Sequence, residues 1–233
     1  MQRYFPAMMK ALPTTLIVLF LAVVIAFFLG ILLAWGRIGK NKPANVFCYV
    51  LISFMRGTPM MVQLLLIFIL VPMILYSMGV DTSSLKPAVY AVIAFSINEA
   101  CFFAEIFRSA YMSIDNGQIE AATSLGMGRM QIFRRVILPQ GAMAALPNTT
   151  NMIIELMKNT SIASVIGVYD ILGKAQQLGK NNYGVGQLEL YIEAGIIFWL
   201  LGLLILFVSG RISAVINRCN TAAIKQKGGV ADV

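Results

Sequence analysis

The chain has 233 residues, of which 59% are hydrophobic and 12% charged, with a net charge of +8. So little charge beside long runs of Phe, Leu, Ile, Met and Val excludes a water-soluble domain, and the net positive charge is sorted by membrane side before any nucleic-acid partner is considered. Histidine is absent and the three cysteines follow no metal or disulfide spacing, so the chain lacks the commonest general base and metal ligand.

Apolar runs and their breakers give five membrane spans, at about 14–36, 59–78, 87–108, 144–167 and 189–210. The first run ends in "GRIGKNK", not in a small-residue cleavage site, and is retained as a span. The apolar stretch 44–55 is cut off by Arg56-Gly57 and reads as a helix lying in the interface. Thr58-Pro59 reads as an N-cap followed by proline at the first helical position, and 59–78 alone reaches roughly 30 Å, enough to cross. With the N-terminus outside, the inner segments hold twelve Lys and Arg and the outer ones five, so the positive-inside rule places the C-terminus in the cytoplasm. The domain expected is a transmembrane body over 1–218, interrupted by a cytoplasmic loop at 109–143 and followed by a flexible tail at 219–233.

Polar groups within the spans mark a candidate substrate pathway. Asn98 and Glu99 fall near the centre of the third span, and Glu155, Lys158 and Asn159 at similar depth in the fourth. A charge there costs about 2.5–3.5 kcal/mol on insertion scales, so it faces a partner or a wet cavity. Thr160 and Ser161 make "KNTS" a candidate helix interruption, where transporter sites tend to form. Glu99 or Glu155 supplies an acceptor for a cationic group, and Lys158, or the amides around Thr160 and Ser161, supplies donors for an anionic one. The alternative for Glu155 and Lys158 is mutual neutralisation at i, i+3. Glu105 and Arg108, with the same spacing, read as a structural pair.

The cytoplasmic stretch "EAATSLGMGRMQIFRRVILPQ" (120–140) reads as a short helix ending at a left-handed Gly126, then a second helix from Arg129 with Met130, Phe133 and Ile137 on one apolar face. Pro139 is expected to end that second helix before the fourth span. Ala121 and Ala122 keep the first helix thin enough for a partner's groove. Such a jointed element suits the transfer of a partner's movement into the membrane; the simpler alternatives are an amphipathic loop on the lipid, with Gly126 as a helix stop alone.

Glu120-Ala121-Ala122, three residues, Gly126, nine residues and Val136-Ile137-Leu138-Pro139 resemble the EAA loop of ATP-binding-cassette importer permeases, with Val136 where the family has isoleucine. "FMRGTPMMVQL" (54–64), which contains Arg56, Gly57, Thr58 and Pro59, and "KNTSIASVIGV" (158–168) are similar to the branch that imports polar amino acids. The resemblance implies an all-α integral membrane permease of five transmembrane helices with a coupling-helix loop, in a prokaryotic inner membrane. It implies a second permease subunit, identical or a sister chain, two ATP-binding subunits and an extracytoplasmic solute-binding protein. Coupling to the ATPase is implied at Glu120, Ala121, Ala122, Leu125, Gly126 and Pro139. ATP and Mg are expected on the partner subunits, with no cofactor on this chain. "GVYDILGKA" (167–175) is not a phosphate loop, since five residues separate its glycines and Ala175 follows the lysine. Relatives usually carry aspartate where Asn159 stands and neutral residues at Glu99 and Glu155, so the negative charge is expected to have moved to the glutamates. That hints at a cationic amino acid, with cystine or glutamine close behind. The alternative to an importer subunit is a self-contained ion-coupled carrier or channel.

Overall fold

The computed structural model describes residues 4–228, with side chains described over 4–216, and it is helical throughout. A short α1 (Phe5–Met9) leads into α2 (Leu12–Ile38), the first crossing. Its buried positions Ala22, Ala26, Gly30 and Ala34 recur every four residues, one stripe of small side chains along a helix whose other faces are large and exposed, as at Phe20, Phe28 and Trp35. The stripe packs on α5 (Pro87–Met112), which answers with Ala100, Phe103 and Ala104. At Gly30 the fit is absolute: a Cβ there would lie 2.4 Å from the Cβ of Phe103. Phe27 closes the edge of the seam against the rings of Phe103 and Phe107, both edge-on.

The apolar stretch 44–55 forms a helix, α3 (Lys42–Gly57), and α4 (Met60–Ser77) is the next crossing. Thr58 does not cap α4 as the sequence suggested. The N-cap position is Pro59, and the Thr58 hydroxyl turns back to donate to the Phe54 carbonyl at 2.9 Å. Thr58 is extended, with its backbone continuing the break instead of entering the helix.

The polar loop forms α6 (Asn116–Ser124), capped by Asp115, whose side chain accepts from the Gly117 N–H. Gly126 stands at φ +75°, and the Met127 N–H reaches the Ala122 carbonyl at 3.1 Å, which closes the helix end. α7 (Arg129–Ile132) follows. Pro139 does not end this element. The backbone widens into a π-turn over Phe133–Ile137, with the Leu138 N–H bonding back to the Phe133 carbonyl, and runs straight into α8 (Leu138–Asn159). The wider turn accommodates a ring that has no N–H to give and would otherwise collide with the preceding turn. In the α7 region Ile132 is buried, while Met130 and Phe133 are exposed.

Among the described residues, four helical stretches are long and apolar enough to cross a membrane: Phe5–Ile38, Met60–Ser77, Pro87–Met112 and Gln187–Ile216. α8 is more polar, carrying Asn148, Thr149, Thr150, Asn151, Glu155 and Lys158, and it lies against α5 and α10. It stops at Asn159 and passes into a 3₁₀ helix (Thr160–Ile166) that ends on Gly167 at φ +85°. α9 (Ile171–Asn181) packs with α1 and α10 around Met8, Ile171, Leu190 and Ala194. α10 (Gln187–Gly228) continues past 219, where the tail was expected to begin; residues 229–233 lie outside the described residues.

Candidate functional site

The break between α3 and α4 builds the site. Residue 59 is proline, so the Met55 carbonyl has no i+4 amide to accept from. Gln63 replaces it: Nε2 donates to the Met55 carbonyl at 2.7 Å and to the Thr58 hydroxyl oxygen at 2.7 Å. The Gln63 amide oxygen then accepts from Asn98 Nδ2 at 2.8 Å, and the same nitrogen approaches the Met55 carbonyl at 3.3 Å. Two buried amides thus tie the "RGTP" break to the middle of α5. Arg56 and Gly57 are left exposed at its surface.

Beside this knot lies a cavity of about 160 Å³, lined by Met55, Arg56, Thr58, Met60, Asn98, Glu99, Phe102, Met152, Glu155 and Asn159. The structure therefore brings together Asn98, Glu99, Glu155 and Asn159 from α5 and α8. Glu99 is 4% exposed, and among the described residues its carboxylate has no hydrogen bond and no ion pair. Glu155 is exposed on the open wall. Opposite them the Arg56 guanidinium lies over the Phe102 ring, 5.3 Å from its centroid. The cavity thus has two carboxyl groups and one guanidinium, groups that complement a zwitterion's two ends.

The other predicted pathway residues lie apart. Lys158 is exposed, does not line the cavity and forms no ion pair with Glu155. Thr160 and Ser161 are engaged elsewhere: the Thr160 hydroxyl donates to the Met157 carbonyl at 2.8 Å and lies 3.3 Å from Asp170 Oδ2, to which the Ser161 hydroxyl donates at 2.7 Å. Asp170 Oδ1 accepts from the Gly173 N–H at 2.8 Å, so this buried carboxylate caps α9 and pins the 3₁₀ segment at once. Nearby, Thr15 of α2 accepts the Ile171 N–H at 3.3 Å. Sequence reasoning missed three groups: Arg56 as a wall of the cavity, Gln63 as its clasp and Asp170 as the anchor of the interruption. A signal existed for Gln63, a lone amide four residues past a proline that removes a donor.

Glu105 and Arg108 pair as expected, with Arg108 Nε and Nη2 donating to Glu105 Oε2 at 3.0 Å and 2.8 Å. On the polar loop, Glu120, Ala121 and Gly126 are exposed, Leu125 is 82% exposed and Ala122 is buried. Pro139 is half-buried beyond the π-turn, and Gln140 donates to the Gln118 amide oxygen at 2.6 Å, tying α6 to the foot of α8. The loop is thus joined to the same helix that carries Glu155.

Residues 26–217 match the model of a protein family described as the binding-protein-dependent transport system inner membrane component. The chain is 40% identical over 202 residues to the L-cystine transport system permease protein TcyL of Bacillus subtilis (strain 168), covering 86% of this chain and 83% of the relative. It is 34% identical over 217 residues to the L-cystine transport system permease protein TcyB of the same organism, covering 93% and 89%. A crystal structure of an amino acid ABC transporter with histidines superposes with a TM-score of 0.78 at 32% identity, over 91% of this chain and 95% of that one.

Proposed function

We propose how this chain moves its cargo from one premise: it belongs to the family of binding-protein-dependent transport system inner membrane components. It is the multi-pass membrane subunit of an ATP-binding-cassette importer of amino acids. A self-contained carrier or channel is not what its relatives are.

The cavity between the α3–α4 break, α5 and α8 is the transmembrane substrate site. Glu99 receives the ammonium of the amino acid, with Glu155 beside it, and Arg56 receives the carboxylate in place of Lys158. Asn98 holds the wall on which Glu99 sits, and Asn159 closes the outer side. The unpartnered carboxylate of Glu99, buried at the midpoint of α5, is the observation that supports this reading. An excess of acid over base in the cavity favours amino acids with a second cationic group, cystine included.

Two permease subunits, identical or paired with a sister chain, enclose the pathway, and an extracytoplasmic binding protein supplies the solute. Two ATP-binding subunits dock beneath α6, where exposed Glu120, Ala121 and Leu125 are offered to them, and they hold the ATP and Mg. The N-terminus faces outside and the C-terminus the cytoplasm. Nucleotide binding favours one arrangement of the pair through unequal contacts at α6, since a ligand shifts only an equilibrium whose states it binds differently. The continuous backbone from α7 through the π-turn to α8 carries that shift to Glu155.

Glu99→Gln keeps the shape and removes the charge. In the whole complex reconstituted with its binding protein, uptake should fall about tenfold or more, on the scale of one charge-assisted hydrogen bond, with membrane insertion unchanged. Uptake at the parental rate would remove Glu99 from the site.

A further inference from the structure

A second cavity, of about 470 Å³, lies between α3, α5 and the end of α2, and it is built differently from the first. Arg37, Arg56 and Arg108 line it against a single carboxylate, Glu105. Glu105 is already bonded to Arg108, and its other oxygen stands 3.7 Å from Arg37 Nε, beyond hydrogen-bond reach. Arg37 Nε is a buried donor with no hydrogen-bond partner among the described residues. The rest of the Arg37 guanidinium is held still, Nη1 donating to Asn45 Oδ1 at 2.7 Å and the group lying over the Tyr49 ring at 4.9 Å. The cavity has three fixed cations, one shared anion and an unused buried donor, with the exposed hydroxyl residues Tyr49 and Ser53 on its rim.

Its position says what fills it. Arg37 is in the last turn of α2, and Arg108 is one turn from the end of α5, which leads at once into α6. The cavity is therefore at the membrane surface on the side of the polar loop, at headgroup depth. Along α3, beside the cavity, Val46, Phe47, Val50 and Phe54 stand 56–66% exposed, an apolar row for acyl chains. Guanidinium groups match the paired oxygens of a phosphate, and basic pockets between membrane helices take anionic headgroups.

We infer that the Arg37–Arg56–Arg108 cavity is a binding site for the phosphate headgroup of an anionic phospholipid, whose chains lie along the exposed face of α3. The site stands apart from the substrate cavity except at Arg56 and the Phe102 ring beneath it, so its test leaves both alone. The full chain in detergent is titrated with phosphatidylglycerol and with phosphatidylcholine, and bound lipid is counted by native mass spectrometry. The expected result is one phosphatidylglycerol retained per chain in preference to phosphatidylcholine. Arg37→Gln should reduce that preference about five- to tenfold. Ser53→Glu, which leaves the Arg37 contacts intact and places a negative charge on the rim, should do the same. Arg211→Gln, on α10 outside the cavity, should leave it unchanged. Equal retention of the two lipids, or a preference that survives both cavity variants, overturns the inference. So does full displacement of the lipid by millimolar inorganic phosphate or by free amino acids, which would make the cavity a site for soluble anions or a substrate vestibule.

Discussion

The two faces of α5 obey opposite rules. Towards α2 it is dry and close: Ala, Gly and Phe interdigitate, and at Gly30 not one carbon can be added. Towards the α3–α4 break and α8 it is polar and open, with Asn98 committed to Gln63 and Glu99 committed to nothing among the described residues. Within a bilayer the hydrophobic effect does not distinguish helix from lipid, so close packing and buried hydrogen bonds fix the arrangement. The closed face of α5 holds the open face in place, and that division can be broken at either end.

The largest effect is expected at the closed face. Gly30→Leu drives a branched side chain into the backbone and Cβ of α5, where overpacking by even a methylene or two costs about 1–3 kcal/mol and this insertion is far larger. The variant should fail to accumulate as a folded membrane protein, measured by yield of monodisperse protein in detergent. If it purifies and melts like the parent, the seam is not what positions α5.

Gln63→Leu comes next. It leaves the Met55 carbonyl with only the longer Asn98 contact at 3.3 Å and Asn98 without its acceptor on α4, a buried loss worth about 1–3 kcal/mol. A lower melting midpoint is expected, together with reduced uptake. Because Gln63 and Asn98 serve one another, the Gln63→Leu/Asn98→Leu pair should cost less than the sum of the single changes. Strict additivity would show that the two amides do not act as one clasp.

The clasp also shows how much could be read beforehand. The five-span pattern, the separate helix at α3, the stop at Gly126 and the interruption after Asn159 all follow from runs of apolar residues and from local backbone chemistry. The composition of the cavity does not, because Arg56 and Glu99 meet through the packing of α3 on α5, 43 residues apart in sequence. Lys158 was the natural partner by spacing along one helix, yet its position on α8 turns it outward. Pro139 misled for a related reason: proline ends an α-helix by rule, but a single π-turn absorbs it, and the local sequence does not announce which occurs.

A smaller effect tests whether the open face is linked to the loop. Gly126 makes its turn at φ +75° with open space around its Cα, so a side chain there meets strain alone and no collision. Gly126→Val should cost roughly 1–2 kcal/mol locally, the penalty of a left-handed conformation for a residue with a Cβ. In the assembled transporter this should loosen the coupling of ATP hydrolysis to uptake while the melting midpoint of the isolated chain barely moves. Unaltered coupling would reduce Gly126 to a helix stop.

The smallest change bears most directly on where the site ends. Ser161→Ala removes one 2.7 Å hydrogen bond to Asp170. Asp170 Oδ1 keeps the Gly173 amide, and the Thr160 hydroxyl, 3.3 Å from Oδ2, can turn to it from the Met157 carbonyl, so the carboxylate is not stranded. The expected cost is about 1.5 kcal/mol, the low end for a hydrogen bond to a carboxylate. Uptake should be nearly unaffected, because Ser161 faces the anchor of the 3₁₀ segment and not the Glu99 cavity. If uptake instead falls as far as in Glu99→Gln while the melting midpoint stays within that small cost, Ser161 touches the cargo during the cycle. The polar face of α5 would then be only one wall of a larger pathway, and the helix interruption would belong to the moving parts instead of the frame.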